Sequence, residues 1–146
     1  MGTELPDASA VVPDGWEPPA VGGVIELTVP ASTSFLAIVR TATAGLAARL
    51  RLSFDEIEDL RIAVDEACGM VLALPGTPSS DEATLTCRYE VLADGLAVRV
   101  SAAVDGSAAL PAEQSFAWQV LRTHATRVSS AVGPATAWIE VHKARG

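Results

Sequence analysis

One segment, residues 53–72, constrains this chain more than any other. Ser53-Phe54-Asp55-Glu56 sets a serine three residues ahead of a glutamate, just before an apolar repeat. That spacing is a capping box. The serine hydroxyl accepts from a free amide of the first helical turn, and the glutamate reaches back to the serine amide. Asp55, Glu56, Glu58 and Asp59 then crowd the first turns, where the helix dipole favours anions. Ile57, Leu60, Val64, Ala67 or Cys68, and Val71 follow at three- and four-residue spacing, so they share one stripe. The helix stops before Pro75-Gly76. A helix of this length with a single apolar stripe needs a second layer against which to bury it.

The flanking residues supply that layer. Val24 to Val29 is β-rich and is ended by Pro30. Ser32 or Ser34 can cap a further helix, in which Phe35, Val39, Ala42, Leu46 and Leu50 recur at helical spacing through about residue 50. Gly45 weakens it slightly. Residues 75–82 read as a polar loop. Thr84 to Leu92 alternates, with Leu85, Cys87, Tyr89 and Val91 on one face. Asp94-Gly95 is a hairpin turn signal, and Leu96 to Ala103 returns as the next strand. A loop over 104–114 carries Gly106 and Pro111. Phe116, Val120, Leu121 and Val128 predict a helix from about 115 to 129, and Thr136 to His142 a closing strand around Trp138, Ile139 and Val141. The order β, α, α, β, β, α, β predicts an α+β fold: a two-layer sandwich of a mostly antiparallel sheet with helices on one face.

Residues 1–22 read differently. Pro6, Pro13, Pro18 and Pro19 interrupt them, and Glu4, Asp7, Asp14 and Glu17 are balanced by no Lys or Arg. They are expected to form a flexible acidic, Pro-rich leader ahead of the domain that spans 23–146, with Trp16 tacking either onto that domain or onto a partner. The formal net charge is −8. An acidic surface repels phosphates, so no direct nucleic-acid partner is expected. No apolar run approaches the length of a membrane span, and no signal peptide is visible, so the expected location is cytoplasmic. Cys68 and Cys87 match no metal or redox spacing and read as small buried apolar residues. His124 and His142 fit no metal-ligand pattern, and no metal site is expected. No nucleophile elbow is present.

Leu52 to Cys68, read as LSFDEIEDLRIAVDEAC, closely resembles a segment of RsbW-type anti-sigma factors, which belong to the histidine-kinase-like (GHKL) ATPases. The likeness is specific because the capping box, the EIEDL-IAV run and the following Glu-Ala share one register. A weaker similarity runs over about residues 24–143. The resemblance implies a protein that clamps a sigma factor, phosphorylates and is antagonised by an anti-anti-sigma partner, and forms a homodimer. It implies ATP and magnesium as cofactors, bound by three segments.

Each segment departs from the family pattern. The helical Glu-x-x-x-Asn keeps its general-base position as Glu66, but Met70 stands where the magnesium-binding asparagine belongs. A thioether is a poor partner for a hard cation. The adenine-binding aspartate aligns with Ala102; Asp105-Gly106, three residues later, either serves after a loop shift or marks an ordinary turn. The Gly-x-Gly lid aligns with Ser115 and Ala117, beside the bulky Phe116 and Trp118, which are expected to fill a cavity. An arginine that precedes the lid in the family aligns with Glu113. These departures imply an ATP site that is degenerate and a kinase that is weak or absent. The alternative is an active serine kinase acting on the anti-anti-sigma partner through Glu66 and a rearranged Asp105 loop. Arg40 aligns with a sigma-contacting arginine of the first helix, and it reads equally as a solvated helix arginine.

Overall fold

The computed structural model describes residues 20–76 and 82–146. Trp16 and the acids of the leader lie outside the described residues. The chain runs β1 (Val24–Pro30), a 3-10 turn (Thr33–Phe35), α1 (Leu36–Arg49), α2 (Phe54–Leu72), β2 (Thr84–Leu92), β3 (Gly95–Ala103), α3 (Phe116–His124), β4 (Arg127–Val132) and β5 (Thr136–Ala144). Five strands form one sheet in the order β1-β2-β3-β5-β4, with every neighbouring pair antiparallel. The helices pack on one face of it, so the α+β two-layer architecture holds.

The capping box forms as the spacing requires. Ser53 Oγ accepts from the Glu56 amide at 3.1 Å, and Glu56 Oε1 accepts from the Ser53 amide at 2.7 Å. The preceding turn is as tightly specified. Arg51 adopts a left-handed φ of 63°, the Leu52 amide donates to Ala47 O, and the Arg51 amide donates to Ala48 O. This is a Schellman motif, built here on arginine where glycine is usual. Leu52, fully buried, locks it. α1 therefore stops and α2 starts within four residues, and the two helices pack side by side over the sheet.

The core lies between the layers. Leu85, Cys87, Tyr89 and Val91 of β2 point to the helices, as do Val98 and Val100 of β3 and Ile139 and Val141 of β5. From α2, Leu60, Ala63, Val64, Ala67, Cys68, Met70 and Val71 meet them. Tyr89 and Thr43 are the polar pair inside this core: the hydroxyls are 2.9 Å apart, and Thr43 donates to Val39 O at 2.7 Å. Cys68 and Cys87 are both fully buried and in thiol contact with each other across the α2–β2 interface. Its contact with the Cys87 sulfur, together with burial in apolar surroundings, pushes the Cys68 thiol up, so it stays protonated.

The C-terminal third departs from the expected order. α3 ends at His124, not near 129, and Arg127–Val132 is a strand. The helix stops when the Ala125 amide closes onto Leu121 O and the next amide, Thr126, donates to His142 O of β5. Val128, placed on the helix by its spacing, packs against the core from β4. The closing strand is also longer, reaching Ala144. No helix among the described residues is long and apolar enough to cross a membrane.

Candidate functional site

α2 carries Glu66 and Met70 one turn apart on the same side. Glu66 is half-buried, and no described residue donates a hydrogen bond or ion pair to it. Met70 is only 6% exposed and belongs to the core. No group of three or more His, Cys, Asp or Glu side chains that could hold a metal exists among the described residues.

Beyond the end of α2, the loop after β3 closes over the sheet. Gly76 adopts a φ of +80°, and a side chain there would collide with the Asp105 carboxylate, so the two loops touch. Asp105 Oδ1 accepts from the Ser107 amide at 2.9 Å and the Ser107 hydroxyl at 2.6 Å. These bonds hold its carboxyl below the usual range. Gly106, with a φ of +92°, completes this Asx-type turn. Ala102, where the family pattern has its adenine acceptor, is buried on β3. Beside it Leu74, Val104 and Ala137 form a small apolar cluster with Ala108 and Leu110 packed against it.

α3 opens at Ser115, whose backbone is extended and whose hydroxyl makes no cap bond. That hydroxyl is buried without a partner among the described residues. Ala117 is half-buried against the core. Trp118 is buried, and its indole N–H donates to Pro111 O at 2.8 Å, drawing the 104–114 loop onto the helix. Phe116 does not fill a cavity as its bulk suggested: it is 78% exposed, because the first turn of α3 points it away from the core side that Trp118 occupies. Glu113 is exposed, and its carbonyl accepts from Arg122 at 3.1 Å.

On the helical side, Arg40 of α1 donates from Nε to Asp65 Oδ1 of α2 at 2.7 Å, with both side chains about two-fifths exposed. Both histidines also have acidic partners, which their sequence context did not signal. His124 Nδ1 lies 2.9 Å from Asp59, which also accepts from Lys143 at 3.1 Å. The His124 bond, helped by Lys143, holds the Asp59 carboxyl below its ordinary value. His142 Nε2 lies 3.0 Å from Asp94, and its Nδ1 lies 3.1 Å from Arg127 Nε.

No family model matches the chain. Over 48 residues, 33% of its length, the chain is 50% identical to the serine-protein kinase RsbW of Halalkalibacterium halodurans. Over 44 residues it is 50% identical to the serine-protein kinase RsbW of Bacillus subtilis, and 46% identical to that of Bacillus cereus. These stretches span only 28–30% of the relatives' own length. The fold matches the crystal structure of the RsbU and RsbW domains of Rv1364c from Mycobacterium tuberculosis with a TM-score of 0.61. That match covers 84% of this chain and 32% of the other at 14% identity, so it speaks for the fold alone. Over the matched stretch the chain is thus similar to RsbW serine-protein kinases, and its fold is similar to that of the solved RsbU and RsbW domains.

Proposed function

We propose that this chain is an anti-sigma factor that sequesters an alternative sigma factor, is antagonised by an anti-anti-sigma protein, and has a weakened or lost nucleotide site. The likeness to RsbW supports the class of partners; a homodimer in the cytoplasm is part of the same proposal. The observation that carries the nucleotide half is Met70. Magnesium in phosphoryl transfer takes oxygen ligands in near-octahedral geometry. At this position the chain offers a core thioether, and its neighbours Gly69 and Val71 have no side-chain oxygen. Ala102 offers no acceptor to an adenine amino group. Ser115 and Ala117 replace the lid glycines, whose lack of side chains lets backbone amides approach phosphate. The residues present do not fit a magnesium nucleotide. Kinase chemistry rests on positioning and charge neutralisation, so these losses act together.

Arg40 is the proposed partner contact. Its bond to Asp65 is an exposed ion pair, worth at most about 1 kcal/mol. An acid on a sigma factor can therefore replace Asp65 at little cost to the fold. One observation favours a second reading, an active ATP-dependent serine kinase: the Glu66 carboxylate is bonded to no described residue, as a general base would need. Against it, Asp105 is tied back to its own loop through Oδ1, which leaves only Oδ2 for an adenine amino group.

Calorimetric titration with Mg-ATP and Mg-ADP into the millimolar range separates the readings. The anti-sigma reading expects no saturable heat. In parallel, Arg40→Ala should weaken capture of the cognate sigma factor by about tenfold or more, the loss of one charge-assisted contact. Sub-millimolar, magnesium-dependent binding with transfer of phosphate to an anti-anti-sigma serine would put the kinase first.

A further inference from the structure

Only one flank of α1 is covered. Its inner side, Leu36, Val39, Thr43 and Ala47, is buried, and the Thr43–Tyr89 bond ties it to β2. On one flank Arg40 reaches α2 through Asp65, and α2 packs over β3 and β5. The opposite flank carries Phe35, Ile38, Ala42, Leu46 and Arg49 at three- and four-residue spacing, so they share one line. β2 has β3 on one side and β1 on the other, so this line looks out over β1, an edge strand. There Ile25 and Leu27 pair with Tyr89 and Cys87, which places them on the helix side of the sheet. Ile38 is 50% exposed and Ile25 47%, while Leu27, Ala42 and Leu46 are partly buried. A Cβ on Gly45 would meet nothing within 4 Å. The result is an apolar trough between α1 and β1, and none of the described elements lies in it.

The chain enters this trough from one end. Ala20 O accepts from the Gly23 amide at 3.0 Å, and Gly22 holds a φ of 86°, so residues 20–23 form a turn that reverses the chain just ahead of β1. The Gly22 amide donates to Val91 O, which sets the turn at the hairpin end of β2. Arg145 bridges Leu50 O and Ala93 O at that same end, so Arg49, in the last turn of α1, stands there too. No described carboxylate pairs with Arg49. Residues 1–19 precede the turn, and they hold Asp14, Trp16 and Glu17 with no Lys or Arg. Ala20 lies opposite Gly23, so counting back along an extended chain sets Trp16 opposite Leu27, since both segments advance at about 3.3 Å per residue.

We propose that the occupant of the trough is the chain's own leader: residues 14–19 fold back as an extended strap that seats Trp16 on Leu27, Ile38 and Ala42 and draws Glu17 to Arg49. An indole supplies a large apolar area, and its N–H can stay in water at the rim of the trough. Pro18 and Pro19 have no amide hydrogen to add to the sheet, so the strap lies over the helix side of β1 and does not extend the ladder. Proline favours an extended chain before docking, so little freedom is lost when the strap settles. The strap shields Ile25 and Ile38 and covers one face of an exposed edge strand. Arg40 lies on the other flank of α1, so a partner contact there stays open and the two proposals can fail separately.

The test is methyl and indole NMR on the full chain. The expected result is cross-relaxation between the Trp16 ring and the methyl groups of Leu27 and Ile38, with upfield ring-current shifts of those methyls that are lost in Trp16→Ala. The Trp118 and Trp138 indole signals should stay in place in that variant, which shows that the domain remains folded. Ile38→Asp alters an exposed position, so it should keep the fold while releasing Trp16 to quenching by acrylamide. Arg49→Glu should shrink the methyl shifts by setting two like charges together at the mouth of the trough. A Trp16 ring without contacts, contacts to the helix-free face of the sheet, or methyl shifts unchanged in Trp16→Ala would each overturn the proposal. So would contacts that fade on dilution, since the strap would then belong to a second copy.

Discussion

Replacing Tyr89 with phenylalanine takes one oxygen out of the middle of the core. Thr43 donates to Val39 O, so the Tyr89 phenol must be the donor in its 2.9 Å contact with Thr43. Its only other acceptor, Val39 O, is 3.4 Å away, long for a hydroxyl donor. Burial pushes the phenol pKa up, so it stays a donor across the working range. Tyr89→Phe should cost about 1 kcal/mol, one neutral buried hydrogen bond. Thr43→Val strands the phenol proton at about 1–3 kcal/mol, partly offset by about 0.8 kcal/mol from the added methyl. The double variant removes both polar groups and leaves an apolar contact of the same shape. Its cost should fall short of the sum of the singles by about 1 kcal/mol, as for any pair in direct contact. Equilibrium urea unfolding of the four proteins measures this coupling, and melting temperatures should follow it at roughly 4 °C per kcal/mol for a domain of this size. Strict additivity would show that the hydroxyls do not depend on each other. The clasp between α1 and β2, which sets the height of the Arg40 helix above the sheet, would then need another cause.

Two further outcomes follow from single contacts. A side chain on Gly95 would run into the Lys143 carbonyl of β5, so Gly95→Ala should force β3 and β5 apart and cost about 2 kcal/mol or more in urea unfolding. The Asp59 carboxyl lies below its ordinary 3.8 because of its bonds to His124 and Lys143, so the stability it adds is present above that value and is lost as pH falls through the lower folded-state value. The gap in unfolding midpoint between wild type and Asp59→Asn should therefore be open at pH 6 and close below about pH 4; a gap independent of pH would refute that assignment.

Much of the fold was legible because its signals were local. The α2 cap rests on Ser53 and Glu56, three residues apart, and the β2–β3 hairpin on alternation about Asp94-Gly95. β4 was not legible. Ser129 and Ser130 give it little apolar alternation, it forms one edge of the sheet, and Val128 continues the helical spacing from Leu121. The left-handed turn at Arg51 was hidden too, since arginine does not announce that conformation as glycine does. Within the candidate site, Glu66 and Met70 could be placed because both lie on one well-capped helix. Phe116 could not, since its exposure depends on how Trp118 seats α3. Asp94, His142 and Arg127 come together only through strand register, and nothing near any one of them in the chain points to the other two.

The sheet order also sets how the chain must assemble. β1 pairs with β2 across both helices, so Thr28 and Thr86, in hydroxyl contact, are 58 residues apart. The β2–β3 hairpin and the α1–α2 pair close over far shorter loops. A long closure carries its entropy cost before its contacts repay it. β1, bonded on one side only and with most of its residues exposed, should thus dock late in folding and exchange its amide hydrogens first in the native state.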